Sequence, residues 1–316
     1  MRIIFFGTTD FAAVCLHALA RAGHELPAVV TQPDRPAGRG LRLRLSPIKE
    51  RAQELGLRVE APADPNAAAF VRLLQDLKAE LFSVAAYGHI FGRGLLAAPA
   101  RGCVNVHASL LPRYRGAAPI HHALLNGDTE TGVTIIWMDE RMDAGDIILR
   151  RALPIAPEED VGELERKLAA LGAQALVEAV ALIERGAAPR LAQDDGQATY
   201  APALARARAQ IDWGESALQI CNLVRGANPT PGAFTFHRGK RLKVLRAQVA
   251  EKALPTAGNA GEIVETDARG VLVRAGAGAV LLLQVQPDAK RPMSGAAYVR
   301  GYRVEVGEAL GGVSGE

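Results

Sequence analysis

The chain has 316 residues, of which 49% are hydrophobic and 22% are charged, values close to the average for globular proteins. This composition disfavours disorder, collagen and coiled coil, and no apolar run approaches the ~18 residues that a membrane helix needs. At ~100–200 residues per domain, the length predicts two domains. The formal net charge is only +3, but residues 206–316 hold 15 Lys and Arg against 10 Asp and Glu. A basic C-terminal region favours a polyanionic partner.

The first 188 residues alternate between strand-like and helix-like patterns. The predicted strands are 2–6, 28–31, 57–60, 81–87, 102–107, 133–138 and 147–153. The predicted helices are 11–22, 47–55, 64–78, 119–125 and 161–185. Such alternation predicts an α/β fold with a doubly wound, mostly parallel sheet, in which ligands bind beyond the carboxyl ends of the strands.

The pattern changes after residue 188. Residues 189–205 are rich in Ala, Pro and Asp and lack periodicity, so we interpret them as a linker between domains at 1–188 and 206–316. In the second domain, a helix at 216–225 precedes short strands separated by turns that contain glycine. These strands are 233–237, 242–249, 261–265, 270–274 and 279–286. Short strands at close spacing favour a small antiparallel β-barrel of the OB type.

Several common cofactor and catalytic motifs are absent from the sequence. The turn after the first strand holds one glycine, Gly7, whereas a dinucleotide fingerprint needs three. There is no G-x-x-x-x-G-K-[ST] phosphate loop and no G-x-S-x-G elbow. His121 and His122 are adjacent, so on a helix they diverge by about 100° and cannot share a metal. The three cysteines are far apart, which argues against a zinc site or disulfide framework and suits a reducing compartment.

One polar constellation remains, in the segment 102–116 with the sequence GCVNVHASLLPRYRG. Asn105 and His107 are two residues apart on a predicted strand, so they point to the same face. Three aspartates follow a later strand and can reach the same sheet edge: Asp139, Asp143 and Asp146. An Asn can donate to an oxyanion, a His can move a proton, and an Asp can orient that His.

No Ser or Cys nucleophile is clearly supplied, so this constellation favours direct attack by a substrate amine. The alternative is a structural Asn–His pair that backbone groups satisfy, with the acidic residues acting as turn formers. Spacing alone leaves both interpretations open.

The segment NVHASLLPRYRGAAPI and the later MDAGDI resemble the signature of the folate-dependent formyltransferases. The resemblance extends to FFGTTDFA, TQPDRPAGRG, SPIK, AAYGHI, GVTIIWMD and IDW, so it covers essentially the whole chain. It is strongest to members that formylate the methionine carried by initiator tRNA. The family implies a Rossmann-like formyltransferase domain followed by an OB-like barrel that binds tRNA. Ala108 departs from the glycine that the family usually has after the catalytic His.

The resemblance also implies the substrates and the site. The donor is 10-formyltetrahydrofolate, and the acceptor is the α-amine of initiator methionyl-tRNA. The implied catalytic residues are Asn105, His107 and Asp143. The implied folate-binding residues are Ser109, Leu110, Leu111, Pro112, Tyr87, Gly88 and Ile90. The expected tRNA-binding residues are Arg35, Arg39, Arg42, Arg44, Lys240, Arg241 and Lys243. We expect no metal, no nucleotide cofactor and no membrane contact, and we expect a cytoplasmic monomer.

Three other functions fit parts of the sequence. A formyltransferase acting on a sugar amine or ribonucleotide amine shares the Asn–His–Asp core but needs no basic barrel. A non-enzymatic RNA-binding protein predicts a damaged triad, whereas all three residue types are present. A formyl-folate hydrolase would usually carry a small regulatory domain in place of the basic C-terminal barrel.

Overall fold

The computed structural model describes residues 1–37, 42–251 and 258–312. The chain packs as two compact units. The first unit comprises Met1–Pro119, Glu130–Pro154 and Glu165–Ala201. The second unit comprises Ile120–Thr129, Ile155–Leu164 and Pro202–Glu316. Two short segments from the first 188 residues thus pack with the second unit, and residues 189–201 pack with the first. The domain boundaries expected from the sequence stay predictions.

A seven-stranded sheet forms the centre of the first unit. Its strands are β1 (Ile3–Gly7), β2 (Val29–Val30), β5 (Val59–Glu60), β6 (Leu81–Ala85), β7 (Cys103–His107), β8 (Glu130–Trp137) and β9 (Ile147–Pro154). The spatial order is β5-β2-β1-β6-β7-β8-β9. The first five of these are parallel, whereas β8 runs antiparallel to β7 and β9 antiparallel to β8. The expectation of a mostly parallel α/β sheet is confirmed.

Burial explains why these runs form strands. Every residue of β1 is buried, as expected for a parallel strand covered on both faces. Gly7 is the last residue of β1, and a Cβ there would lie 2.4 Å from Ala12 Cβ and 2.8 Å from the Ala85 carbonyl oxygen. This glycine therefore serves close packing in the turn. The helices up to residue 184 are α1 (Asp10–Arg21), α2 (Pro47–Glu54), α3 (Ala68–Asp76), α4 (Arg93–Leu96), α5 (Pro119–Leu125) and α6 (Val161–Glu184).

The basic segment after β2 contains a hairpin that the sequence did not predict. Strands β3 (Arg35–Ala37) and β4 (Arg42–Arg44) pair antiparallel, with Arg35 opposite Arg44 and Ala37 opposite Arg42. RPAGRG lacks the alternating apolar pattern of a strand, so the sequence pattern gives no signal for this pairing.

The second unit is built on an antiparallel sheet. Its strands are β10 (Phe234–His237), β11 (Lys240–Val249), β12 (Ile263–Thr266), β13 (Val271–Arg274), β14 (Ala279–Pro287) and β15 (Met293–Ser294). Their order is β10-β11-β14-β13-β12, and β15 pairs with β14. Register shifts near Arg246 mark a bulge in β11, which bends a long strand as a half-barrel requires. The sheet is consistent with the expected OB-like domain.

Two helices accompany this sheet, α7 (Ala217–Ala227) and α8 (Gly295–Tyr302). A capping box formed by Ser216 and Gln219 starts α7. Buried Trp213 donates its indole N–H to Thr235 Oγ1 at 3.0 Å, which ties the segment before α7 to β10. Within the described ranges, no helix combines the length and apolarity needed to cross a membrane.

Candidate active site

Three polar side chains converge at the carboxyl end of β7. Asn105 and His107 lie on this strand, and Asp143 lies in the turn between β8 and β9. Asn105 Nδ2 donates to Asp143 Oδ1 at 3.4 Å, and His107 Nδ1 lies 3.6 Å from Asp143 Oδ2. The structure therefore brings together the three residues that the resemblance implied as catalytic.

The pleat of β7 explains the pairing of Asn105 with His107. Successive side chains of a strand point to opposite faces, so these two share one face. Val104 and Val106 occupy the other face and are buried. His107 is itself only 5% exposed, so its polar ring needs partners within the protein.

The structure distinguishes among the three candidate aspartates. Asp139 accepts hydrogen bonds from Arg141, and Asp146 lies 3.7 Å from the Arg190 guanidinium. These two carboxylates therefore make ion pairs near the surface. Asp143 alone of the three faces Asn105 and His107.

A tight turn presents the Asp143 carboxylate. The φ angle of Asp143 is +51°, in the left-handed region that non-glycine residues rarely adopt. Gly145 follows closely, and a Cβ there would lie 1.8 Å from the Trp137 carbonyl oxygen. The Gly116 N–H donates to Asp143 Oδ2 at 2.8 Å and fixes one carboxylate oxygen.

Both ring nitrogens of His107 face acceptors. His107 Nε2 lies 2.9 Å from the Tyr114 carbonyl oxygen, which can only accept, so Nε2 carries a hydrogen. Nδ1 faces the Asp143 carboxylate at 3.6 Å, which is longer than a hydrogen bond. The Tyr114 carbonyl therefore fixes the ring through Nε2, and Nδ1 is the ring nitrogen that faces Asp143.

The segment 109–112, implied as folate-binding, is held mainly by buried contacts. Thr134 Oγ1 donates to the Ser109 carbonyl at 2.7 Å and accepts from the Leu111 N–H at 3.1 Å. Ser109 and Leu111 are buried, whereas Leu110 and Pro112 are half-buried. The exposed surface of this segment therefore comes from Leu110 and Pro112, while the other two residues anchor it.

The second group of implied folate-binding residues follows β6. Tyr87 is buried, and its ring packs edge-on against Phe6. Burial is the main cause that raises the pKa of Tyr87 to about 12. Gly88 and Ile90 are exposed, and Gly88 has a φ of +81°. This segment therefore presents backbone and Ile90 outward, with the tyrosine as its anchor.

The expected tRNA-binding residues lie in both units. Arg35, Arg42 and Arg44 belong to the β3–β4 hairpin, and Arg39 lies outside the described residues. The others lie on β11. Lys240 is exposed, Lys243 is half-buried, and Arg241 is half-buried with its guanidinium 3.9 Å from the centre of the Phe234 ring.

Sequence reasoning missed two groups of this site, the Tyr114 carbonyl and the Gly116 N–H. Both are backbone groups, which every residue type carries, so the residue type does not indicate their role. Two positive φ angles in this loop, +64° at Tyr114 and +119° at Gly116, aim these groups at His107 and Asp143. The glycine in PRYRG was the one available signal.

The cysteines do not offer a nucleophile. Burial raises the pKa of Cys15, Cys103 and Cys221 to about 12 each. A thiol that stays protonated at neutral pH is a poor attacking group. Among residues 1–37, 42–251 and 258–312, no group of three or more His, Cys, Asp or Glu side chains is arranged to hold a metal ion. The expected metal-free reaction stays a prediction.

Family models match both parts of the chain. Residues 1–180 match the formyl transferase domain, and residues 204–303 match the formyl transferase C-terminal domain. A methionyl-tRNA formyltransferase from Moorella thermoacetica is 50% identical over 312 residues, covering 98% of this chain and 99% of that protein. A second relative of the same name, from Heliobacterium modesticaldum, is 46% identical over 317 residues, covering 98% of this chain and all of that protein.

Solved structures show the same fold at lower sequence identity. HypX from Aquifex aeolicus, in complex with tetrahydrofolic acid, matches with a TM-score of 0.67 and 18% identity. The match covers 98% of this chain and 48% of HypX, so the chain spans about half of that protein.

Proposed function

The chain belongs to the formyl transferase family, and from this premise we propose that it transfers the formyl group of 10-formyltetrahydrofolate to the α-amine of initiator methionyl-tRNA. Relatives named for activity on methionyl-tRNA are similar over nearly the whole chain, which supports this acceptor. One observation carries the chemistry, namely the convergence of Asn105, His107 and Asp143 at the end of β7.

The proposed donor site lies beside this convergence. Leu110 and Pro112 provide apolar surface for folate, and the backbone around Gly88 and Ile90 provides polar groups for the pteridine. The tetrahydrofolic acid in HypX, which has the same fold, supports folate use.

The reaction is an acyl transfer between two nitrogens. The neutral amine of methionine attacks the formyl carbon, the bond to N10 breaks, and tetrahydrofolate leaves with a proton on N10. Negative charge gathers on the formyl oxygen before the bond breaks, so groups that donate hydrogen bonds there lower the barrier.

The three side chains supply complementary roles. One N–H of Asn105 Nδ2 is directed at Asp143, and the other can donate to the formyl oxygen. The Tyr114 carbonyl anchors Nε2 of His107, so Nδ1 is the nitrogen that presents a proton to the substrate. Asp143 stabilises the imidazolium charge, accepts the proton that the attacking amine loses, and passes it to N10 of the departing tetrahydrofolate.

We assign tRNA binding to the basic residues of the β3–β4 hairpin and of β11. Arg35, Arg42 and Arg44 lie on β3 and β4, and Lys240, Arg241 and Lys243 lie on β11. Arg39, outside the described residues, is included on the basis of the sequence. Lysine and arginine contacts to phosphates give sequence-independent affinity for RNA and help to place the acceptor. The excess of basic residues over 206–316 supports this assignment.

A formyl-transfer assay with an acceptor panel tests the function. The protein is given 10-formyltetrahydrofolate labelled in the formyl carbon and one of four acceptors: initiator methionyl-tRNA, free methionine, an amino-sugar nucleotide or an amino ribonucleotide. We expect label on methionyl-tRNA, with Asn105→Ala as the inactive control. Transfer only to the sugar or ribonucleotide amine would contradict the proposed acceptor, and labelled formate without any acceptor would indicate a hydrolase.

A further inference from the structure

The segment 189–201, interpreted from sequence as a linker, is bonded along the first unit. Leu191 pairs with Ile147 of β9 through two backbone hydrogen bonds of 2.8 and 3.1 Å. The Arg115 N–H donates to the Thr199 carbonyl, and the Ala201 N–H donates to the Arg115 carbonyl, both at 2.8 Å. This segment therefore reaches both the start of β9 and the loop that follows β7.

Gln193 lies between these two attachments and uses its whole amide group. Its Nε2 donates to the carbonyl oxygens of Asp143 and Gly145, each at 2.8 Å. Its Oε1 accepts from Arg115 Nε at 3.1 Å and from Arg115 Nη2 at 2.9 Å. Both N–H groups and both acceptor positions of the amide are thus engaged.

Arg115 connects this amide to the catalytic loop. It is only 4% exposed, and its Nη2 also donates to Asp195 Oδ1 at 2.7 Å. That hydrogen bond is the main cause that lowers the pKa of Asp195. In the chain, Arg115 stands between Tyr114, whose carbonyl holds His107, and Gly116, whose N–H holds Asp143.

We propose that Gln193 is a positioning residue for the formyl-transfer reaction, holding the Asp143 turn in register with the loop that carries Arg115. It acts through Asp143 and does not touch the substrate. The left-handed backbone at Asp143 needs such support, because a non-glycine residue keeps a disfavoured φ only where its surroundings impose it. The inference rests on the proposed function for its kinetic test.

The kinetic test compares Gln193→Ala and Gln193→Glu with the matched control Gln197→Ala. Gln197 lies in the same segment, is exposed, and bonds only Asp194 among the described residues. The glutamate variant can still accept from Arg115 but cannot donate to the two carbonyls. We expect both Gln193 variants to lose about 10-fold in kcat, with KM for 10-formyltetrahydrofolate within twofold of wild type. The Gln197 variant should behave as wild type.

A double-mutant cycle separates positioning from general destabilisation. In an Asp143→Ala background, Gln193→Ala should reduce kcat by less than twofold, because its effect passes through the missing carboxylate. An equal loss in both backgrounds, or a wild-type kcat for Gln193→Ala alone, would overturn the inference.

A spectroscopic measurement tests the same inference without turnover. The Gly116 amide donates to the Asp143 carboxylate, so its proton resonance should lie downfield in the wild-type protein. In Gln193→Ala it should move upfield, toward its position in Asp143→Ala, while Gln197→Ala leaves it in place. An unmoved resonance would overturn the role of Gln193. Failure of wild type to formylate methionyl-tRNA would contradict the proposed function alone.

Discussion

The His107 ring is held at Nε2 by the Tyr114 carbonyl at 2.9 Å, and its Nδ1 faces the Asp143 carboxylate at 3.6 Å. Asn105 contacts the other oxygen of the same carboxylate. Asn105 and His107 both face Asp143, so the three proposed catalytic residues form one network. Substitutions in such a network are not additive, because removing one member disables the others.

We predict that Asn105→Ala, His107→Ala and Asp143→Ala each lower kcat by at least ~10²-fold, the range for oxyanion and acid–base groups. The double variant His107→Ala/Asp143→Ala should lose far less than the product of its single losses. Single-turnover kinetics with initiator methionyl-tRNA measure each rate, and thermal unfolding confirms that each variant folds. Multiplicative losses would show that His107 and Asp143 act independently.

How much of this site the sequence could predict depends on the kind of group. The common face of Asn105 and His107 followed from their spacing, because side chains on a strand alternate with period two. Spacing could not decide which of the three aspartates faces this pair, because the direction of a side chain in a turn follows no regular period. The resemblance to the family selected Asp143. The Tyr114 carbonyl and Gly116 N–H were missed because every residue carries these groups. Their placement depends on φ angles that appear only in the folded chain.

At the scale of elements, the strands and helices with clear apolar periodicity were predicted to within a few residues. Helix 119–125 was predicted with its observed bounds. Helix α8 was missed because its sequence, GAAYVRGY, has two weak helix formers and little apolar pattern. Its start is stabilised instead by Ser294, whose hydroxyl accepts from the Ala297 N–H at 3.1 Å. The hydrogen bonding of segment 189–201 was not predicted, because its backbone pairs with Ile147 and Arg115, which are far away in the sequence.

A polar network, buried at His237 and Tyr298 and open to solvent at Arg238, joins β10 to α8 and to the segment after it. His237 Nδ1 lies 2.6 Å from the Tyr298 hydroxyl, and His237 Nε2 lies 2.5 Å from the Glu308 carboxylate. Arg238 also donates to Glu308 through two nitrogens. The Arg238 hydrogen bond is the main cause that lowers the pKa of Glu308 from 4.5 to about 2, with a further contribution from His237.

The lowered pKa of Glu308 predicts that the free energy of unfolding of the second unit depends on pH in the acidic range. A carboxyl with a lower pKa in the folded than in the unfolded state stabilises the fold above pH 4.5, and the contribution disappears as the pH falls toward 2. Glu308→Gln should destabilise the second unit by about 1 kcal/mol at pH 7, a modest value because the carboxylate keeps contact with solvent. Urea unfolding from pH 7 to pH 3 should show the gap to wild type narrowing below pH 4.5. Exposed Glu305→Gln is the matched control, and a gap that stays constant with pH would contradict the assignment.

At the scale of the whole molecule, both fold classes followed from changes in periodicity along the chain. Alternating strand and helix patterns predicted the α/β sheet, and closely spaced strands predicted the antiparallel one. The sequence could not show that 120–129 and 155–164 pack with the second unit, because that partition depends on contacts between residues far apart in the chain.

The basic residues assigned to tRNA binding should make the affinity for tRNA depend on salt concentration. Each phosphate contact that is lost should flatten the slope of log K against log[salt] by ~0.7–0.9. We predict that Lys240→Ala/Lys243→Ala weakens tRNA affinity and flattens this slope, while the affinity for 10-formyltetrahydrofolate stays unchanged because the implied folate residues lie in the first unit. The matched control, Arg21→Ala/Arg72→Ala, removes the same charge from exposed positions on α1 and α3. Titrations across a salt series measure both affinities. If both double variants weaken tRNA binding equally, the effect reflects net charge; if neither changes the slope, β11 does not contact the RNA backbone.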